Sequence, residues 1–172
     1  MKTLLLIRGL PGSGKTTLAR TLEARITGSF EVCADDYFMV DGEYKFDAAK
    51  LEEVHRLCQL GTRLALKDGA SFVIVHNTFS TRKELQPYFN MAQDLDYRVQ
   101  VVDLFNAGLS IDELVRRNVH GVPRSTVKRM WDRWDHDWRL KAEKEQDKYK
   151  PEIRACISPQ EPATAKKPWW DR

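Results

Sequence analysis

Residues 3–17 read Thr-Leu-Leu-Leu-Ile-Arg-Gly-Leu-Pro-Gly-Ser-Gly-Lys-Thr-Thr, and their reading decides the fold. Thr3 to Ile7 is a short apolar run that closes at a glycine turn, the pattern of a parallel strand buried on both faces. Gly9-Leu10-Pro11-Gly12-Ser13-Gly14-Lys15-Thr16 then meets every fixed position of G-x-x-x-x-G-K-[ST]. Glycines allow backbone N–H groups to turn inward around an anion. A helix opening at Lys15 aims its positive end at that anion. In this pattern Lys15 reaches the β- and γ-phosphates of a nucleotide, and the Thr16 hydroxyl serves Mg²⁺. Strand, loop and helix agree, so a chance glycine turn is the weaker reading. The expected nucleotide-binding residues are Gly9, Pro11, Gly12, Ser13, Gly14, Lys15, Thr16 and Thr17.

Outward from this loop, strands and helices alternate. Leu18, Leu22 and Ile26 mark a helix from Lys15 to about Ile26. Phe30–Cys33 reads as a second strand, Asp41-Gly42 as a turn, and Asp47 to Asp68 as a long helix stopped by Gly69. Ser71–Val75 and Tyr97–Phe105 read as the third and fourth strands. Thr81–Glu84 and Ser110–Glu113 fit capping boxes that open helices, and Pro87 marks a later start or a kink in the first of them. After the break at Gly121-Val-Pro123, an amphipathic helix is expected from Ser125 to about Lys148. The alternation predicts an α/β domain with a mostly parallel sheet over residues 1–150. Pro151, Pro159, Pro162 and Pro168 make residues 151–172 a Pro-rich tail. No internal repeat is present.

The 172 residues suit one domain with one core. A 31% charged fraction and no long apolar run exclude a disordered chain and a membrane span. Cys33, Cys58 and Cys156 lack metal-site spacing, and with no signal peptide the expected compartment is the cytoplasm. A net charge of +3 does not by itself point to nucleic acid. The charge is unevenly spread, however: Arg116, Arg117, Arg124, Lys128, Arg129 and Arg133 face a single acid, Asp132, over residues 116–133.

Asp35-Asp36 falls where the second strand ends, the edge at which open α/β sheets bind ligands. A carboxylate there can take a proton from an attacking hydroxyl or hold Mg²⁺; a turn or N-cap aspartate is the plainer reading. His76-Asn77-Thr78 ends the third strand without the metal-binding acid common at that point; these residues could position a water or a phosphate, and the favoured reading of His76 is a core or surface histidine. Arg117 and Arg124, beside the glycine–proline break, are read as lid arginines that neutralise a transferring phosphoryl group. Lys128, Arg129 and Arg133 are either acceptor-binding or solvated. Trp131, Trp134 and Trp138 form one stripe if the last helix is continuous. Core packing is the first reading of this stripe and base stacking the second.

These residues together resemble the small P-loop kinases grouped with phage-type polynucleotide 5′-kinase, and still more the kinase-like module of NEDD4-binding protein 2. The resemblance rests on Leu6–Thr17, Asp35-Asp-Tyr-Phe38, Gly42–Asp47, His76-Asn-Thr78, Glu113–Asn118, His120-Gly-Val-Pro123 and Arg129-Met130. It implies a three-layer P-loop kinase core with a C-terminal helical lid. It also implies Asp35 as general base and Arg117 as the lid arginine, with Arg116 or Arg124 assisting. Two positions depart from the polynucleotide kinases: Phe38 replaces a basic residue that grips the acceptor phosphate, and the third strand ends without its acid. Relatives in phages phosphorylate hydroxymethyl groups on bases within DNA, which suits an altered acceptor site. The expectation is therefore an ATP- and Mg²⁺-dependent phosphotransferase acting on a hydroxyl of a nucleic acid, with DNA favoured. Asp35, Lys15 and Arg117 would be catalytic, and Thr16 and Asp35 would serve the metal. A small-molecule kinase and a slow ATPase acting as a protein-binding module are the alternatives.

Overall fold

The computed structural model describes residues 2–138. Four parallel strands form the sheet in the order β2-β5-β1-β6: β1 (Thr3–Arg8), β2 (Ser29–Val32), β5 (Phe72–Asn77) and β6 (Arg98–Asp103). A two-stranded hairpin, β3 (Met39–Val40) and β4 (Glu43–Tyr44), projects between β2 and the next helix. The helices are α1 (Lys15–Glu23), α2 (Leu51–Lys67), α3 (Arg82–Asp94), α4 (Ile111–Arg117) and α5 (Arg124–Asp132).

Side-chain alternation along β1 builds three layers. Leu4 and Leu6 face a core shared with Val54, Cys58 and Leu66 of α2 and with Leu85, Tyr88 and Ala92 of α3. Leu5 and Ile7 face the opposite way and pack with Ala19, Leu18 and Leu22 of α1. Every residue of β1 is buried, which explains its unbroken apolar reading. Fully burying such side chains contributes ~1.5–3 kcal/mol each, so the strand that carries the glycine loop is firmly anchored, paired with β5 on one side and β6 on the other. A third cluster joins Leu10 of the loop to Leu114 of α4, Val127 of α5 and Trp134. Through it α4 and α5 sit on the glycine loop.

Several local expectations are corrected. The final helix stops at Asp132, and residues 139–172, including the proposed tail and Trp169-Trp170, lie outside the described residues. Trp134 and Trp138 therefore follow the helix, and both are buried. Trp131 and Trp134 pack on Phe105, with ring centroids 4.8 and 5.3 Å away, while Trp138 joins the core between the sheet and α2–α3. Packing is thus the role of Trp134 and Trp138. Helix α1 ends at Glu23, three residues short of Ile26, because the chain must turn at Gly28 (φ 77°) into β2. Helix α3 runs through Pro87 without a later start. The Thr81 side chain does not cap it; instead the Glu84 carboxylate accepts from the Ser80 N–H (2.9 Å) and the Thr81 hydroxyl (3.1 Å). Ser110 and Glu113 do form the reciprocal box at α4. Asp41 and Gly42 both have positive φ (54° and 81°), the backbone a tight hairpin demands, so the turn signal marked an unpredicted pair of strands.

Candidate active site

All four sheet strands are parallel, so their carboxyl ends share one edge. The glycine loop leaves β1 there, Asp35 follows β2, Asn77 ends β5 and Asp103 ends β6. Ligands bind at this edge in open α/β sheets, where successive strands depart to opposite sides of the first.

The loop is shaped as an anion cradle. Gly12 and Gly14 have φ of 81° and 91°, in the left-handed region that L side chains avoid. A Cβ on Gly12 would lie 2.2 Å from the Leu114 carbonyl oxygen, so glycine also lets α4 approach the loop. Helix α1 starts at Gly14 with no side-chain cap and no acid in its first turn, leaving its N–H groups for an external anion. Ser13 Oγ is buried without a partner in the structure. Lys15 Nζ donates to the Leu10 carbonyl at 3.0 Å, folding across the loop. Burial lowers the Lys15 pKa to about 8, with the Asp35 carboxylate opposing the shift. An uncapped helix end, an orphan hydroxyl and a desolvated ammonium all fit a bound phosphate. Thr16, half-buried, and Thr17, exposed, open the helix just beyond Lys15. Pro11 and Gly12 are half-buried along the loop.

Asp35 and Asp36 occupy a 3-10 turn, residues Asp35–Phe38. Two contacts hold that turn. Asn77 Oδ1 accepts from the Ala34 N–H at 2.9 Å, and its Nδ2 points to Cys58 Sγ at 3.4 Å. Phe38 is 3% exposed and packs against Tyr44 and Phe46, with centroids 5.9 and 5.2 Å away. The residue found in place of a phosphate-gripping cation is therefore an apolar peg under the Asp35 turn. Asp35 is half-buried and interacts electrostatically with Lys15. Asp36 is exposed and lines a separate groove with Phe30, Tyr37, Leu64 and Asp68. The two aspartates thus face different surroundings.

His76 is buried and sits against the Glu31 carboxylate. Burial, then the positive charge of Lys15, lowers its pKa to about 4, so it is neutral near pH 7. Of the core and surface positions the sequence left open, it occupies the core. Among the described residues, no cluster of three or more His, Cys, Asp or Glu side chains is placed to hold a metal.

The basic segment is partly self-neutralised. Arg124 Nε donates to Asp112 Oδ1 at 2.6 Å, tying α5 to α4, and Lys128 pairs with Asp132 at 2.6 Å within α5. Arg133 reaches Ser80 Oγ at 3.4 Å, and Arg129 reaches Thr126. Arg116 and Arg117 are exposed in the last turn of α4.

Two further residues belong to the site's frame; both fall in stretches that carry the family resemblance, Leu6–Thr17 and His120–Pro123, but neither had a role assigned to it. Arg8 is fully buried: it donates to the carbonyls of Asp135 (3.0 Å) and Ser80 (3.3 Å), lies 3.6 Å from Asp103, and stacks on Trp134 at 4.2 Å. It clamps the chain beyond α5 to the sheet edge. Its signal was a charge closing an otherwise apolar strand. His120, between α4 and α5, lies 3.7 Å from Asp35 and stacks on Tyr44 at 4.2 Å. No local pattern could bring together residues so far apart in the chain.

A family model described as an AAA domain matches residues 4–135. The chain belongs to that family. It is 38% identical to human NEDD4-binding protein 2 over 132 residues, covering 74% of this chain but only 7% of that protein. In fold it resembles a structure of the Pnkp1/Rnl/Hen1 RNA repair complex, with a TM-score of 0.64 and 22% identity over 96% of this chain and 52% of that one. It also resembles the Mycobacterium tuberculosis APS kinase CysC in complex with AMPPNP and APS, with a TM-score of 0.51 and 17% identity over 73% and 75% of the two chains. This AAA-domain chain thus has an α/β P-loop kinase-like fold, and its loop is of the nucleotide-binding kind. No helix among the described residues is long and apolar enough to cross a membrane.

Proposed function

We propose that the chain is an ATP-dependent kinase that transfers the γ-phosphoryl group to a hydroxyl on a nucleic acid. The observation that carries this reading is the placement of Asp35 after β2, within electrostatic range of Lys15, at the sheet edge where the uncapped helix end opens. Lys15 and the loop amides hold the β- and γ-phosphates. The Thr16 hydroxyl, with Asp35, would hold Mg²⁺, which supplies charge neutralisation on those phosphates. Asp35 takes the proton of the acceptor hydroxyl as that oxygen bonds to the γ-phosphorus. The bond to the bridging oxygen breaks, and its electron pair leaves with ADP. Arg117, helped by Arg116, is carried by α4 and neutralises the transferring group. Arg124 reaches the nucleotide only by giving up Asp112. Such catalysis rests on positioning and charge more than on covalent chemistry.

The acceptor within this class is a 5′-hydroxyl end or a hydroxymethylated base in DNA. The burial of Phe38 favours an acceptor held other than by an end phosphate. A small-molecule acceptor is the second reading, favoured by the internal pairing of Arg124 and Lys128, which removes part of the cationic surface. The experiment is incubation with γ-labelled ATP and a panel of DNA, RNA, modified-base DNA and free nucleosides, followed by nuclease digestion to locate the label. Label on a polynucleotide is expected. Label confined to free nucleosides selects the second reading, and ADP release independent of every acceptor overturns both.

A further inference from the structure

We infer that His120 is a positioning residue for Asp35, so that seating the α4–α5 segment on the loop also sets the orientation of the base. The inference rests on the kinase reading for its chemistry but on separate geometry for the contact.

Among the described residues, each carboxylate oxygen of Asp35 has a polar neighbour. Tyr44 donates its hydroxyl to Oδ1 at 3.4 Å. His120 Nε2 lies 3.7 Å from Oδ2. The two rings lean on each other, with centroids 4.2 Å apart and planes tilted by 38°. These neighbours come from separate parts of the fold. Tyr44 stands on the hairpin strand β4, and His120 belongs to the connection between α4 and α5.

The connection is itself shaped to present His120. Asn118 Oδ1 accepts from the His120 backbone N–H at 3.0 Å, and Asn118 Nδ2 donates to the Val122 carbonyl at 3.3 Å. Gly121 then turns with a φ of 65°. Val119, next to His120, is 87% exposed, while His120 keeps only 31% of its side chain exposed; the turn sends one outward and the other inward. The same connection follows directly on Arg116 and Arg117. A segment that brings charge to the transferring group therefore also brings the His120 imidazole to within ion-pair distance of the base.

A carboxylate acting as base must present one oxygen to the incoming hydroxyl and be held elsewhere. Tyr44 and His120 supply that hold, and Oδ atoms free to rotate would lose alignment with the attacking oxygen. His120 does not itself take the proton; it acts through Asp35.

The test uses the full chain with His120→Ala, His120→Gln, Tyr44→Phe and Asp35→Asn, singly and with His120→Ala combined with Asp35→Asn. Expected for His120→Ala is a fall in kcat of about tenfold to a hundredfold, part of the ~10²–10⁴-fold that a general base supplies, with KM for ATP unchanged. His120→Gln keeps an N–H donor and should recover most of the loss. In the Asp35→Asn background, His120→Ala should cost nothing further, because residues acting as a unit are not additive. An undiminished loss in that background, or a loss seen equally in KM for ATP, overturns the inference. The contact is read separately by the imidazole nitrogen signals of isotopically labelled histidine. Asp35→Asn should move the His120 signal and leave in place that of His55, an exposed residue of α2. An unmoved His120 signal overturns the contact whatever the activity. Failure of transfer to every acceptor overturns the kinase reading, and the ring signal still decides the contact.

Discussion

On the nucleotide side of the site, one uninterrupted run, Gly9–Thr17, supplies the loop, the lysine, the hydroxyls and the start of the helix. On the side we propose for the acceptor, Asp35 comes from the end of β2, Tyr44 from a hairpin, Asn77 from the end of β5 and His120 from beyond α4. The first half is a local structure that its own glycines and N–H groups dictate. The second exists only once the sheet has formed and Asn77 has tied β5 to Ala34. Damage to the acceptor side should therefore spread through contacts, whereas damage to the nucleotide side should act where it is made.

Asp35→Asn should break the comparison most sharply. The amide is nearly isosteric but cannot accept the proton of the acceptor, so transfer should fall by ~10²–10⁴-fold. Nucleotide affinity should hardly change, as measured by titration with a non-hydrolysable analogue. A parallel collapse of affinity would make Asp35 a metal ligand first and a base second. Asp36→Asn, in the separate groove, should have a far smaller effect on transfer.

Gly12→Ala attacks the seam between the halves. Its Cβ would meet the Leu114 carbonyl oxygen at 2.2 Å, on backbone already at a positive φ of 81°. Backbone cannot yield as a side-chain tip does, so α4 must shift off the loop, and the Arg117 and His120 segments move with it. We expect transfer to drop about a hundredfold, the scale on which misplacing catalytic groups by an ångström costs rate, while the core stays folded by circular dichroism. Unchanged transfer would show that α4 need not touch the loop.

The difference between the halves also sets what the sequence could reveal. The β1 strand, the loop and α1 were legible because each rests on neighbours in the chain: apolar run, glycines, helix start. The parallel sheet followed from alternation. The Asp35 turn was legible in position, but its holders were not. Phe38 read as a missing cation, whereas it is a buried peg; Asn77 read as part of a degraded metal motif, whereas it is a brace. Arg124 read as a lid arginine, and it lies on Asp112, an acid twelve residues earlier that charge counting over 116–133 left out. The tryptophan stripe assumed a continuous helix, and the chain leaves that helix at Asp132 because Arg8 captures the Asp135 carbonyl and Trp134.

Asn77→Ala tests the brace. It leaves the buried Ala34 N–H without an acceptor and removes the contact to Cys58. An unsatisfied buried group costs about 1–3 kcal/mol, which chemical denaturation should read directly. Transfer should fall as the Asp35 turn loosens, and nucleotide affinity should fall less. Asn77→Asp keeps an acceptor for the Ala34 N–H and should retain more stability than the alanine variant. Equal losses in both would place the role of Asn77 in its amide nitrogen and Cys58.

The smallest expected effect is a pH dependence confined to the nucleotide side. Burial lowers the Lys15 pKa to about 8 in the free protein, from an ordinary value of 10.5. Below pH 8 the ammonium is charged and ready for phosphate; above it the charge is lost. Nucleotide affinity should therefore fall as pH rises from 8 to 9, by up to about tenfold, the limit set by one proton per pH unit. The stability of the nucleotide-free protein should move the other way. Between pH 8 and 10.5 the unfolded chain binds more protons at this lysine than the folded one, so folding gains as pH rises through that window. Lys15→Ala should bind nucleotide weakly and lose the pH dependence of affinity together with the opposite trend in stability. Calorimetric titration and thermal melts across pH 7–9.5 measure both signs on the same samples. Affinity that stays flat through pH 9 in the unmodified protein would mean that Lys15 keeps its charge in the free loop, with Asp35 outweighing the cost of burial.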